Sequence, residues 1–166
     1  MSVFPVPDVM KDDIYALTPR LFTNRGIRFL LLDVDNTLAP YTQDRVSPRL
    51  SGWVERMRQA GLELYILSNN KGDRPARFAG ALGLPYVKRA RKPFPKTARA
   101  VLAQTGHTPA ETAFIGDQIY TDILCAKCCG AFAVVVKPIA FSNIWLRLRY
   151  WAELPFRIYY KWRYGT

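Results

Sequence analysis

The stretch that most constrains this chain is Phe29-Leu30-Leu31-Leu32-Asp33-Val34-Asp35-Asn36-Thr37-Leu38. A short, continuous apolar run fits a buried strand, and this one stops at two carboxylates one residue apart. A strand alternates its side chains, so Asp33 and Asp35 point to the same side if the strand continues through them. At the C-terminal end of a strand in an α/β sheet, that side opens into the crevice where ligands bind. Two carboxylates held there repel each other unless a cation lies between them or one takes a proton. Either arrangement suits catalysis, with one Asp as nucleophile, the other as acid/base and a divalent cation offsetting the charge. An Asp-x-Asp pair is also a common surface feature, so the rest of the chain has to decide.

The rest alternates strand and helix. After a lead-in over 1–26 with a short helix near 13–21, the pattern predicts a strand at about 27–33 and a helix from Ser47-Pro48 to about Ala60. Ser as N-cap and Pro in the first turn mark that start, and Gly61 marks the stop. Strands follow near 62–67, 86–88, 112–115 and 131–136, with helices near 72–82, 94–105 and 119–129 that end at Gly83, Gly106 and Gly130. Such alternation means a parallel sheet with helices on both faces. One domain over about 1–140 and a basic, aromatic extension over 141–166 account for all 166 residues.

In a parallel sheet the strand ends share one edge, and there the polar residues converge. Asp33 and Asp35 end the first predicted strand, Ser68 the second and Asp117 the fourth, while Lys92 precedes a helix and Asp122 follows Asp117. Carboxylates hold a hard cation through oxygen, and a hydroxyl, an ammonium and a metal together neutralise the charge of a phosphoryl group. The pattern fits a site for a metal-bound phosphate.

Asp-x-Asp-x-Thr, Ser-Asn after a strand, Lys-Pro, and Gly-Asp-x4-Asp, in this order over roughly residues 29–136, resemble the four motifs of the haloacid dehalogenase-like (HAD) phosphohydrolases. The wording Leu-Asp-Val-Asp-Asn-Thr-Leu, Ser-Asn-Asn, Gly-Asp-Gln-x-x-Thr-Asp-Ile and a later Lys-Pro-Ile is similar to the class IIIA subgroup. That subgroup contains the YqeG-type proteins and the fungal mitochondrial phosphatidylglycerophosphate phosphatases. The resemblance implies a Rossmann-like three-layer α/β fold without a cap, because only about thirty residues separate Asp35 from Ser68 and about two dozen separate Ser68 from Lys92. It implies Asp33 as a nucleophile forming an aspartyl-phosphate, and Asp35 as general acid and then base. Thr37, Ser68, Asn69 and Lys92 are the implied phosphate-binding residues, with Thr37 also holding the loop. It also implies Mg2+ on Asp33, the Asp35 backbone carbonyl, Asp117 and Asp122. The chain departs from the pattern after Asp122, where Leu124-Cys125-Ala126-Lys127-Cys128-Cys129 stands in place of a small-residue turn and an Asn-Arg pair.

Composition narrows the setting. Three cysteines within five residues are no disulfide framework and point to a reducing compartment. They lack the four spaced ligands of a zinc site and read as small buried hydrophobes, and His107 reads as a turn residue. No basic, apolar leader precedes residue 8, and no apolar run approaches the roughly 18 residues of a spanning helix, so a cytoplasmic enzyme is expected. Net charge is +11. Lys137, Arg147, Arg149, Arg157, Lys161 and Arg163 face one acid, Glu153, in the last segment, which calls for a polyanionic partner. Ile144, Trp145, Leu148, Trp151 and Ala152 share a helical stripe, with Arg149 and Glu153 facing away. Pro155 is expected to break that helix, and the alternation from Phe156 to Tyr164 suits a strand. The tail then covers the sheet, lies on an anionic membrane at its inner surface, or stacks on RNA or a ribosomal particle. The substrate best suited to an open site is a phospholipid head group, phosphatidylglycerophosphate; a soluble phosphate ester and a binding role on RNA are the alternatives.

Overall fold

The computed structural model describes residues 4–141 and 144–165, apart from the side chain of Trp145. Six strands, β1 (Val9–Lys11), β2 (Phe29–Leu32), β3 (Glu63–Leu67), β4 (Tyr86–Val87), β5 (Thr112–Gly116) and β6 (Phe132–Val136), form one sheet in the order β1-β6-β5-β2-β3-β4. Every pairing is parallel. Leu32 stands beside Ile66 on one neighbour and Ile115 on the other, so the residues that follow those three positions emerge at one edge. The chain runs from β2 to β3 and β4 in one direction and returns to β5 and β6 on the opposite side. The cleft outside β2 is therefore the switch point where ligands bind in open α/β sheets.

All four residues of β2 are buried because both faces of the sheet are covered. Leu30 and Leu32 pack with Phe22 of the short helix α1 (Pro19–Thr23) and with Trp53, Met57 and Phe78 from the helices α2 (Pro48–Gln59) and α3 (Arg74–Leu82). Phe29 and Leu31 pack with Val101, Ile123 and Ala126, from α4 (Lys96–Thr105) and the segment from the π-helical turn Ile119–Ile123 into α5 (Leu124–Cys129). The helix signals act as the sequence predicts. Ser47 Oγ accepts from the Leu50 N–H at 3.1 Å with Pro48 in the first turn, and Gly83 closes α3 at φ 62°, where a side chain would be strained. Cys125 and Cys129 are buried core residues.

Two segments differ from expectation. The lead-in contributes β1, an edge strand on β6. Asp8 secures it by accepting from Lys127 Nζ at 2.6 Å and from the Ala133 N–H at 2.7 Å. Ile14, Leu17 and Phe22 are in the core, and the buried Trp53 indole donates to the Leu17 carbonyl at 3.1 Å. The tail is a single helix, α6 (Ile144–Tyr164), that runs through Pro155 without a break. An interior proline costs about 3 kcal/mol or more, but tertiary contacts on both sides of it hold this helix. Glu153 Oε1 accepts from the Ile119 N–H at 2.8 Å, and Arg157 Nη2 donates to Glu153 Oε2 at 3.1 Å and to the Asp117 carbonyl at 2.7 Å. Tyr160 is buried one turn further on. A strand over 156–164 would place Arg157 and Tyr160 on opposite faces and lose these anchors. Arg149 and Glu153 lie away from the stripe of Ile144, Leu148 and Trp151, as expected, and face the body of the protein, while that stripe is exposed.

Candidate active site

The Asp33 N–H donates to the Ile115 carbonyl at 2.9 Å, extending the sheet by one residue before the chain turns. The Val34 carbonyl accepts from the N–H groups of Thr37, Leu38 and Ala39, and Asn36 takes φ 62°, a left-handed conformation that asparagine tolerates better than most residues. The Asn36 side chain donates to the Ala140 carbonyl at 2.8 Å and accepts from the Ala140 N–H at 3.3 Å. These bonds lock the turn to the segment after β6. The carboxylates of Asp33 and Asp35 line one cleft of about 320 Å³, but the strand stops at Asp33, so the turn and not strand alternation brings Asp35 there.

Lys92 reaches this cleft from the loop after β4. Asn69 fixes its backbone from both sides, donating to the Lys92 carbonyl at 2.9 Å and accepting from the Lys92 N–H at 2.7 Å. The buried ammonium then lies 2.7 Å from Asp33 Oδ1 and 2.6 Å from Asp122 Oδ1. Burial works against its charge, but the Asp122 and Asp33 carboxylates outweigh burial and raise Lys92 above its ordinary value. Asp122 Oδ2 accepts from the Gln118 N–H at 3.1 Å, and its carboxyl lies directly over Gly116. A Cβ at 116 would sit 2.3 Å from Asp122 Cγ, so the glycine of Gly-Asp provides the space for the second acid.

Asp33, Asp117 and Asp122 are all buried and offer carboxylate oxygens within 4.8 Å of one another. Lys92 bonds two of them, whereas Asp117 Oδ1 accepts only the Thr37 hydroxyl, at 3.3 Å, among the described residues. Burial, opposed by Lys92 and helped by Asp122 and Asp35, pushes Asp33 up to about 7. Burial first, then Asp122 and Asp33, raises Asp117 well above the usual carboxylate range. A cluster with this excess of negative charge and only oxygen donors suits a hard divalent cation such as Mg2+. HAD phosphatases generally use that ion.

The sequence-predicted residues are thus assembled in one place, with distinct contacts. Asp33, Asp35, Asn69, Lys92 and Asp122 line the cleft. Thr37 and Ser68 are buried behind it; the Thr37 hydroxyl holds Asp117, and Ser68 Oγ accepts from the Asn70 N–H at 3.2 Å. Other residues of the site are outside the predicted set. Arg74 Nε lies 2.7 Å from Asp35 Oδ1, an ion pair in which the N–H is not aligned on the oxygen. Asn70 Nδ2 donates to Asp35 Oδ2 at 2.8 Å. Arg74 also holds the loop opposite through the carbonyls of Gln43 and Pro40. Tyr41 lines the cleft, where burial and then Asp117, Asp35 and Asp33 push its phenol up to about 12, so it stays a neutral donor. Arg149 of α6 also lines the cleft and donates to Gln118 Oε1 at 2.6 Å. Only Asn70 had a signal in the sequence, as the last residue of Ser-Asn-Asn.

The spacer before Ser68 is filled by α2 and β3, and the spacer before Lys92 by α3 and β4.

Three comparisons place the chain among known proteins. Residues 3–139 match the model of the mitochondrial PGP phosphatase family. The probable phosphatase YqeG of Bacillus subtilis is 32% identical over 143 residues, covering 86% of this chain and 83% of that protein. The chloroplastic phosphatidylglycerophosphate phosphatase 1 of Chlamydomonas reinhardtii is 28% identical over 150 residues, covering 83% of this chain. The matched region spans only 55% of that longer algal protein. Among solved structures, the cobalt-bound deoxy-D-mannose-octulosonate 8-phosphate phosphatase of Haemophilus influenzae aligns with a TM-score of 0.53 at 21% identity, over 75% of each chain. That degree of likeness establishes the shared fold.

Proposed function

Because the chain belongs to the mitochondrial PGP phosphatase family of HAD-type phosphatases, we propose that it hydrolyses phosphatidylglycerophosphate through an aspartyl-phosphate on Asp33, with Mg2+ as cofactor. The observation that carries the catalytic part is the cluster of three buried carboxylates, two of them bonded to one lysine, at an open cleft. The substrate part is supported by the family and by that open cleft, which leaves room for a head group still attached to its lipid.

The carboxylates of Asp33, Asp117 and Asp122, with the Asp35 carbonyl, would hold the ion. When bound, Mg2+ supplies positive charge for the non-bridging phosphoryl oxygens and relieves the repulsion among the acids. In the first step an Asp33 oxygen forms a bond to phosphorus, the bond from phosphorus to the ester oxygen breaks, and Asp35 gives that oxygen a proton. In the second step Asp35 takes a proton from water, the water oxygen attacks phosphorus, and the Asp33 carboxylate and inorganic phosphate are released. Lys92 neutralises charge on the transferring group. Thr37, Ser68 and Asn69 keep Asp117, the 68–70 turn and Lys92 in place, and Arg74 with Asn70 orients Asp35.

A phosphate-release screen on the purified full chain tests this reading. Phosphatidylglycerophosphate in mixed micelles should be turned over faster than soluble sugar or nucleoside monophosphates, and chelator should stop release until Mg2+ is restored. Preference for a soluble ester would overturn the lipid reading and leave the catalytic one in place.

A further inference from the structure

Helix α6 packs one side against the catalytic domain and leaves the other bare. Ile144, Leu148, Trp151, Ile158 and Trp162 recur at helical spacing on the outward side, and all five are exposed, Trp151 at 71% and Trp162 at 76%. From 144 to 162 this stripe runs for about 27 Å at the rise of an α-helix. Contiguous apolar surface of this kind is uncommon on a monomer and marks a contact surface. The Trp145 side chain, expected in the same stripe, lies outside the described residues.

The charge beside the stripe identifies what covers it. Arg147, Lys161 and Arg163 are exposed on the same helix. The single acid in α6, Glu153, is buried and committed to Arg157 and the Ile119 N–H. A second copy of the chain would bring an equally basic face against this one. RNA would find bases to stack on the tryptophans, but Ile144, Leu148 and Ile158 offer nothing to a hydrated sugar-phosphate backbone. A bilayer with anionic head groups meets both features, since aliphatic and indole groups enter the acyl boundary while Arg and Lys remain among the phosphates. No helix among the described residues is long and apolar enough to cross a membrane.

We propose that the outward face of α6 docks the protein, in the plane of the interface, on a membrane rich in anionic phospholipid. The other side of the same helix borders the cleft. Arg149, next in sequence to Leu148, lines the catalytic cleft, and Arg157 bonds the carbonyl of Asp117. This surface lies beyond residues 3–139, where the family match ends. Vesicle binding follows from the surface alone, and only the effect on turnover rests on the phospholipid reading above.

The test is flotation of the full chain with vesicles of phosphatidylcholine alone and of phosphatidylcholine with phosphatidylglycerol. The protein should float with the anionic vesicles only, with a blue shift of tryptophan emission, and part of the binding should survive high salt. Trp151→Glu with Trp162→Glu should weaken vesicle binding about tenfold or more. The thermal melt and the turnover of soluble p-nitrophenyl phosphate should not change, while turnover of vesicle-borne phosphatidylglycerophosphate falls. If this pair fails to fold, Arg147→Glu with Arg163→Glu serves instead and should abolish the preference for anionic vesicles. A wild-type protein that ignores anionic vesicles overturns the proposal. So do variants that float as the wild type does, a stripe covered by self-association in sedimentation velocity, or binding of RNA in place of vesicles. Vesicle binding without turnover of phosphatidylglycerophosphate would instead retain the docking surface and refute the substrate.

Discussion

Gly116→Ala is a one-carbon change whose cost can be worked from the geometry. The new Cβ would lie 2.3 Å from Asp122 Cγ and 2.4 Å from Oδ2, and ordinary contact needs about 3.5 Å. The Asp122 carboxyl must therefore retreat by roughly 1 Å from that contact distance. That movement takes Oδ1 away from Lys92 Nζ, now at 2.6 Å, and Oδ2 from the Gln118 N–H, now at 3.1 Å. Overpacking costs roughly 1–3 kcal/mol and a lost hydrogen bond to a charged group roughly 1.5–3 kcal/mol, about 2.5–6 kcal/mol together. A reacting group displaced by this distance also loses on the order of 10²-fold in turnover. Gly80→Ala is the matched control: it lies on the exposed side of α3 with nothing within 4 Å of its added Cβ. It should leave activity unchanged and stabilise the fold by about 0.4–1 kcal/mol. Guanidinium unfolding and p-nitrophenyl phosphate turnover, measured on both variants, read the difference. Equal stability and activity of Gly116→Ala and Gly80→Ala would refute the placement of Asp122 over Gly116.

Other outcomes follow from the buried charges. Asp33 is raised to about 7 and Asp117 is raised well above its ordinary value, in both cases mainly by burial. The folded state therefore holds protons that the unfolded chain has lost, and stability present at pH 4 falls as pH rises towards 7. In chelator the melting temperature should drop between pH 5 and 8, and Mg2+ should restore more at pH 8 than at pH 5; a pH-independent effect of Mg2+ would count against the cluster. Arg157→Met removes the cation from buried Glu153 and the donor from the Asp117 carbonyl, and should destabilise by roughly 3–5 kcal/mol in chemical unfolding. Arg74→Met should cost a similar amount, roughly 3–5 kcal/mol, by leaving Asp35 without its cation. A shift of under roughly 0.5 kcal/mol in either, the range of ordinary surface changes, would show that the pair is not buried as described.

The sheet and most of the residues gathered at the cleft were legible because local signals carried them. The apolar run into Asp33, the Ser47-Pro48 start and the glycine stops are properties of neighbouring residues, and parallel topology converts strand ends into one edge. What was not legible depends on distant partners. β1 is three residues in a proline-punctuated lead-in, and it becomes a strand by pairing with β6 more than a hundred positions away. Pro155 and the alternation from Phe156 to Tyr164 argue for a break and a strand, but Glu153 and Arg157 commit the segment to a helix by reaching Ile119 and Asp117. Arg74 and Arg149 are single basic residues among 24 Lys and Arg, and no spacing distinguishes them. Only the fold brings one to Asp35 and the other to Gln118.

The central claim is covalent chemistry at Asp33. In Asp35→Asn given p-nitrophenyl phosphate, whose leaving group departs without a proton, the water step lacks its base and the phosphoryl group should accumulate on the protein, with turnover lower by roughly 10²–10⁴-fold. Acid quenching, borohydride reduction of the acyl phosphate and peptide mapping then locate it. The account predicts reduction of one residue, Asp33, dependent on both substrate and Mg2+, and no labelled product in Asp33→Asn. A label on any other residue, or full turnover by Asp33→Asn, would contradict it.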